Sequence, residues 1–263
     1  TNLMLHGDAA FGDHLVSYAL MTGNDERAGG LTDIPVGADL YYDYASLLRI
    51  GTSFYWSNDA VPSRDIGEGS PKGGVANWMK SDNYYAVGGY GQLTAANLTL
   101  QAEGWVAPHN AVRDPAKVLA LTGASLNPQQ LARFGLTGAT PKESDVPSVA
   151  RYSVVTGYAR AGYSFVFEAF GGDVEIVPYA QLDYYSNPEI VAKKAFGGDS
   201  EAGLSDDGTF YKTTLGCVFR PVSAVALKVD GSTHTQVFNN SWVTYPEMRV
   251  SFSYYWELGG WGR

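Results

Sequence analysis

The chain has 263 residues, a net charge of −9 and a single cysteine, Cys217. The acidic balance argues against nucleic acid as a partner, and a lone cysteine excludes an intrachain disulfide. No run approaches the roughly eighteen apolar residues of a membrane helix, yet Gly and Tyr are abundant and mean hydropathy is only slightly negative, as in a chain that hides a membrane surface by alternation.

Eleven strands are predicted, near Asn2–Ala9, His14–Gly23, Val36–Tyr44, Leu47–Trp56, Asn83–Leu93, Asn97–Val106, Ser153–Phe165, Val174–Tyr185, Thr209–Val222, Ala224–Gln236 and Glu247–Leu258. Each is about nine to fourteen residues, long enough to cross a bilayer at a tilt. Short turns are expected at Ala10–Asp13, Ala45–Ser46, Thr94–Ala96, Val166–Asp173 and around Ser223. Long polar segments are expected at Asn24–Pro35, Ser57–Asp82, Ala107–Tyr152, Ser186–Gly208 and Val237–Tyr245. This alternation predicts an all-β, antiparallel, up-and-down transmembrane barrel with tight periplasmic turns and longer extracellular loops.

The last strand shows the pattern best. With a period of two, Met248, Val250, Phe252, Tyr254, Trp256 and Leu258 fall on one face, and Glu247, Arg249, Ser251, Ser253, Tyr255 and Glu257 on the other. It follows a long connection, so it runs toward the periplasm and leaves the C-terminus there. The first strand then also runs inward. A single-chain bacterial barrel has an even strand number and a periplasmic N-terminus, which predicts at least one strand ahead of Thr1 and a barrel of about 12–16 strands in all.

Within the 107–152 connection, Asp114-Pro115 and Asn127-Pro128 each place a capping side chain before a proline suited to a first helical turn. Two short helices are expected there, at Ala116–Leu121 and Gln129–Phe134, in a loop that caps the barrel, folds into its lumen or reaches a neighbouring subunit. The acidic stretch from Asp199 to Asp207 lacks the spacing and closing Glu of a calcium loop and reads as a solvated loop.

The same period assigns the lumen. Arg49, Arg160, Lys212, Lys228 and Arg249 form a basic set, and Asp39, Asp43, Glu103, Asp183 and Asp230 an acidic one. Charges facing lipid would cost about 2–4 kcal/mol each at the bilayer midplane, so their segregation to one face is what a barrel requires. Opposed charges across a wet constriction orient dipolar solutes; paired across neighbouring strands, they only fill the interior. Tyr42, Tyr44, Tyr163, Phe165, Phe219, Tyr254 and Trp256 are the expected aromatic girdle.

The passages Leu15-Val16-Ser17-Tyr18-Ala19-Leu20-Met21-Thr22-Gly23-Asn24, Pro178-Tyr179-Ala180-Gln181-Leu182-Asp183-Tyr184-Tyr185 and Arg249-Val250-Ser251-Phe252-Ser253-Tyr254-Tyr255-Trp256 resemble strands of bacterial porins. The resemblance is to phosphate-selective porins of the O/P type. It implies a large, sixteen-stranded, trimeric barrel and roughly five further N-terminal strands. The anion ladder of that family departs from the matched charges here, and the tail Gly259-Gly260-Trp261-Gly262-Arg263 departs from the usual terminal aromatic carboxylate.

No catalytic or metal-binding spacing occurs among His6, His14, His109 and His234, and neither G-x-S-x-G nor a phosphate-cradling loop is present. His234, with Asp207 or Asp230 near it in sequence, is the sole candidate for a barrel hydrolase. The expectation is therefore a non-enzymatic outer-membrane porin without cofactor or metal. Its partners would be the lipid bilayer and lipopolysaccharide, small hydrophilic solutes and further copies of itself. The alternative is a plugged or structural barrel that serves as an anchor.

Overall fold

The computed structural model describes residues 3–23, 34–60, 78–122, 131–132, 134, 136, 140–169, 171–189, 208–238 and 241–254. Its strands are β1 (Leu3–Phe11), β2 (His14–Thr22), β3 (Val36–Tyr44), β4 (Leu48–Ala60), β5 (Met79–Ala95), β6 (Leu98–Arg113), β7 (Val149–Tyr163), β8 (Phe165–Ala169), β9 (Gly172–Ser186), β10 (Thr209–Val222), β11 (Val225–Phe238) and β12 (Ser241–Tyr254). They form one antiparallel up-and-down sheet in chain order, with β8 pairing β9 beside the end of β7.

Paired residues share a face of a sheet, so the registers carry one face from strand to strand. Asp39 lies opposite Ser53, Asp43 opposite Arg49, Lys212 opposite Asp183 and Asp230 opposite Arg249. Leu40 pairs Thr52, Leu100 pairs Ala161, Leu215 pairs Ala180 and Val229 pairs Val250 on the other face. The outward positions fixed by these registers carry no Asp, Glu or Lys. Arg appears there only as Arg151, next to Asn110 at the end where the long connections lie. The apolar face is left uncovered, with Leu215 66%, Leu40 50% and Ile50 50% exposed.

The two-residue period is what makes this legible in the chain: each strand alternates, and hairpin turns hold the alternations in phase. Ala45 and Ser46 both take positive φ (49° and 58°), the conformation a primed hairpin turn needs. The Asp43 carboxylate accepts the Ser46 N–H at 3.0 Å, fixing that turn.

The structure departs from the sequence reading in five places. The long segment expected at Ser57–Asp82 is strand at both ends, because β4 runs to Ala60 and β5 begins at Met79. The predicted seventh strand is divided at Ser164 into β7 and β8, giving twelve strands rather than eleven. Its continuation to Ala169 replaces most of the turn expected at Val166–Asp173; Val166 and Phe167 are apolar enough to extend the pairing with β9. The long segment expected at Val237–Tyr245 is instead part of a hairpin, since β11 reaches Phe238, β12 starts at Ser241, and Gln236 pairs Val243. Thr235, Thr244 and Trp242 are good strand formers, so polarity there marked strand rather than loop. Finally, the connection placed at 107–152 is shorter, because β6 runs to Arg113 and β7 begins at Val149.

Inside that connection α1 (Pro115–Thr122) forms where the capping pair predicted a helix. The Asp114 side chain accepts the Ala116 N–H at 3.2 Å. Of the second predicted helix, Leu131, Ala132 and Phe134 are described, and Leu131 and Ala132 are helical; the acidic stretch, Trp256 and the glycine-rich tail lie outside the described residues.

The path has eleven strands, so β1 and β12 point the same way, and no pairing joins them among the described residues. An antiparallel closure directly between these two edges is excluded by direction alone.

Candidate functional site

The site is the charged face of the sheet. All ten residues of the predicted basic and acidic sets lie on it by register. The structure brings them into separate groups rather than one ring.

On the β3–β5 flank, Arg49 donates to Asp43 through Nε at 3.0 Å and Nη2 at 2.8 Å, and lies 5.0 Å over the Tyr41 ring. Asp39 receives the hydroxyls of Ser53 and, at 3.3 Å, Tyr90, and forms no ion pair among the described residues. Asp8 on β1 is likewise bound by the Ser17 hydroxyl. This flank therefore carries more carboxylate than cation.

Across β6 and β7, Glu103 accepts the Trp105 indole N–H at 2.5 Å. Arg160 has no ion pair among the described residues; its guanidinium sits 4.4 Å over the ring of Tyr179. Lys228 approaches the same ring at 5.2 Å and pairs with Asp230 at 3.1 Å. Tyr179 donates its hydroxyl to Asp230 at 3.0 Å, so one tyrosine organises two cations and a carboxylate. It lies flat because Gly216 stands opposite it on β10; a Cβ there would come within 2.4 Å of the ring. The sequence list omitted Tyr179, since an alternating aromatic shows its face but not the ring it makes with neighbours.

Lys212 pairs with Glu247, and Gln181 donates to Asp183 at 2.8 Å. Arg249, exposed on β12, forms no ion pair among the described residues. Together β7 and β9–β12 enclose an open recess of about 670 Å³ that contains Tyr179, Lys212, Lys228, Asp230, Glu247 and Arg249. The Lys212–Glu247 and Lys228–Asp230 pairs and the exposed Arg249 that line it leave donors and acceptors available to a hydrated solute.

The long-loop end is different in kind. Ala111, Ala150 and Met79, on the charged face, pack with Val118 of α1 and with Trp78, Phe134, Leu136 and Val146 in a dry cluster. The β6–β7 connection thus folds over that face. Beneath it, His109 bonds Asp82 at 2.6 Å and is stacked between Tyr84 and Tyr152, at 4.9 and 4.6 Å. Arg113 meets Glu189 through Nε at 3.1 Å and Nη2 at 2.5 Å. Sequence spacing held no sign of this pair, whose members are 76 positions apart.

His234 is stacked between Phe210 and Tyr245 at 4.7 and 4.8 Å and is 4% exposed. Its Nδ1 stands 4.0 Å from Glu247 rather than beside Asp230; Asp207 lies outside the described residues. No group of three or more possible metal ligands occurs among the described residues.

Of the predicted girdle, Tyr42, Tyr44, Tyr163, Phe165, Phe219 and Tyr254 occupy the apolar face by register. Tyr163 and Phe165 are in contact, with centroids 4.7 Å apart, close to the short turns. Comparison with protein families finds no match for the chain, and comparison with curated proteins finds none either.

Proposed function

We propose that the protein is a bacterial outer-membrane channel in which the apolar face meets lipid and the charged face lines a passage for small hydrophilic solutes. The observation that carries this reading is the segregation of charge: strand after strand, the uncovered face is apolar while the opposite face holds the ion pairs and the recess. An exposed apolar surface of this extent in water would drive association, whereas in a bilayer it is the required exterior.

In this reading the 114–148 and 187–208 connections face outward and the short turns face the periplasm. Among the described residues Asp8 and Asp39, on β1 and β3, form no ion pair, nor does Arg160 on β7, while Arg249 on β12 faces Asp230 across the strands. Such a separation gives a field across the passage and favours dipolar solutes over a single ion class. It supports a general channel better than the anion ladder that the porin resemblance implies.

The dry cluster over the charged face favours one other reading, a plugged barrel that anchors or assembles with partners. Conductance in planar bilayers separates the two: stepwise currents support the channel, and none would leave the anchor. Replacing Arg49 and Arg249 together by Glu is expected to move the reversal potential in a salt gradient toward cation preference. An unchanged potential would remove both residues from the passage.

A further inference from the structure

Two register pairs on the wall of the recess are drawn apart. Asp183 of β9 stands opposite Lys212 of β10, yet Lys212 reaches across β11 to Glu247 of β12. The Asp183 carboxylate keeps the Gln181 amide at 2.8 Å and forms no ion pair among the described residues. Asp230 of β11 stands opposite Arg249 of β12, yet Asp230 is held by Lys228 at 3.1 Å and by the Tyr179 hydroxyl at 3.0 Å. Arg249 stays exposed, with no ion pair among the described residues. One carboxylate and one guanidinium are thus left over, and both line the recess of about 670 Å³.

The registers fix how far apart the two stand. Asp183 shares a row with Lys212, His234 and Tyr245, and Arg249 lies four residues beyond Tyr245. Three strand steps and four residues of rise separate the two Cα atoms by about 14 Å across the sheet and about 13 Å along it. The exposed Arg249 side chain is long enough to span part of that gap, and Asp183 a smaller part. A free amino acid, whose ammonium and carboxylate sit on one carbon, cannot bridge what is left. An extended chain of roughly two to four residues, at up to about 3.6 Å per residue, can. Between the two ends Gln181, Thr214 and Ser232 form a row in register, which offers amide and hydroxyl groups to a peptide backbone.

We propose that the recess is a binding subsite for short peptides with free termini, in which Asp183 takes the terminal ammonium and Arg249 the terminal carboxylate. A solute with a single charge satisfies one end only, so the arrangement selects zwitterions of the right length over simple cations and anions. That the peptide is a solute of the channel rests on the channel reading above; the binding itself does not.

The test measures binding of trialanine to the purified protein by calorimetry, with single-channel currents recorded in parallel. The comparison ligands are trialanine acetylated at its N-terminus, trialanine amidated at its C-terminus, and free alanine. Each blocked peptide is expected to bind at least about tenfold more weakly than trialanine, as loss of a hydrogen bond between charged groups implies. Free alanine should be weaker still. Asp183→Asn should weaken trialanine by the same factor and leave acetylated trialanine as in wild type; Arg249→Gln should do this for the amidated peptide. Trialanine should also interrupt the current.

Equal binding of free and blocked peptides would overturn the subsite, and this arm needs no variant. Free alanine that binds as tightly as trialanine would overturn the spacing and the peptide class with it. A variant with wild-type strand content that weakens the free and the matching blocked peptide alike would overturn the end assigned to that residue. If wild-type protein conducts and does not bind trialanine, the channel reading stands and the subsite falls. If it binds trialanine as expected and passes no current, the channel reading fails and the subsite stands.

Discussion

The two ends of the charged face use the same ion-pair chemistry to opposite effect. At the long-loop end Arg113 and Glu189 are almost wholly shielded, at 8% and 7% exposure, above a dry cluster of Trp78, Phe134 and Val118. On the strand wall the carboxylates Asp43 and Asp230 are nearly as shielded, at 12% and 9%, but their partners Arg49 and Lys228 reach solvent, at 51% and 36%. Breaking a shielded pair costs about 3–5 kcal/mol, whereas exposed pairs contribute about 0–1 kcal/mol. The shielded pair therefore fixes structure. The pairs whose cation reaches water are weaker, and under the proposed channel reading they would exchange partners with a passing solute.

The largest effect that bears on this contrast is expected from Phe134→Ala. A cavity in the dry cluster should cost about 3–5 kcal/mol, confined to the described part of the β6–β7 connection. Hydrogen exchange would show α1 and residues 140–148 losing protection while β10 and β11 keep theirs. Equal loss in both regions would break the comparison, because the two would then be one cooperative unit.

Next in size comes the contrast between faces. Leu215→Arg puts a charge on the apolar face and should lower stability in lipid by about 2–4 kcal/mol, read from the urea midpoint in vesicles. Ser251→Arg, on the charged face, should cost far less. Similar losses from the two would contradict a lipid-facing exterior.

Gly216→Val sharpens the comparison on the wet side. The added side chain cannot share space with the Tyr179 ring, so overpacking should cost about 1–3 kcal/mol. Displacing Tyr179 also frees Arg160, Lys228 and Asp230 from their common anchor. Ion preference should shift with stability, and a variant whose reversal potential matches wild type would show that Tyr179 does not organise the wall.

These regions were not equally legible in the chain. The strand wall was: a period of two assigns Asp39, Glu103, Lys228 and Arg249 to one face without any contact being known, because geometry leaves only two choices. Strand ends and loops were less so. Thr244 and Trp242 fell in a segment read as a long polar connection, yet they pair across a hairpin with Thr235 and Val237. The α1 start was legible from Asp114-Pro115, a local capping signal. The Arg113–Glu189 pair and the Tyr179 anchor were not, since both depend on which strands lie side by side, and pairing between distant segments leaves no local trace.

The smallest expected effect tests whether wet pairs are as weak as the contrast requires. Arg220 meets Glu175 at 2.5 Å near the short turns, with side chains 40% and 30% exposed. After Arg220→Ala, Glu175 keeps the Ser164 hydroxyl at 2.5 Å and gains water, so no charge is stranded. The loss should therefore stay below about 1 kcal/mol. It should also fade in 1 M salt, where screening acts within about 3 Å. Glu189→Gln should remain destabilised in the same salt, because ions do not enter the dry cluster to replace the lost partner. Comparing the two variants by urea unfolding at low and high salt thus reads burial directly. If Arg220→Ala keeps its full cost in 1 M salt, the wall pairs are structural after all, and their availability to solutes has to be abandoned.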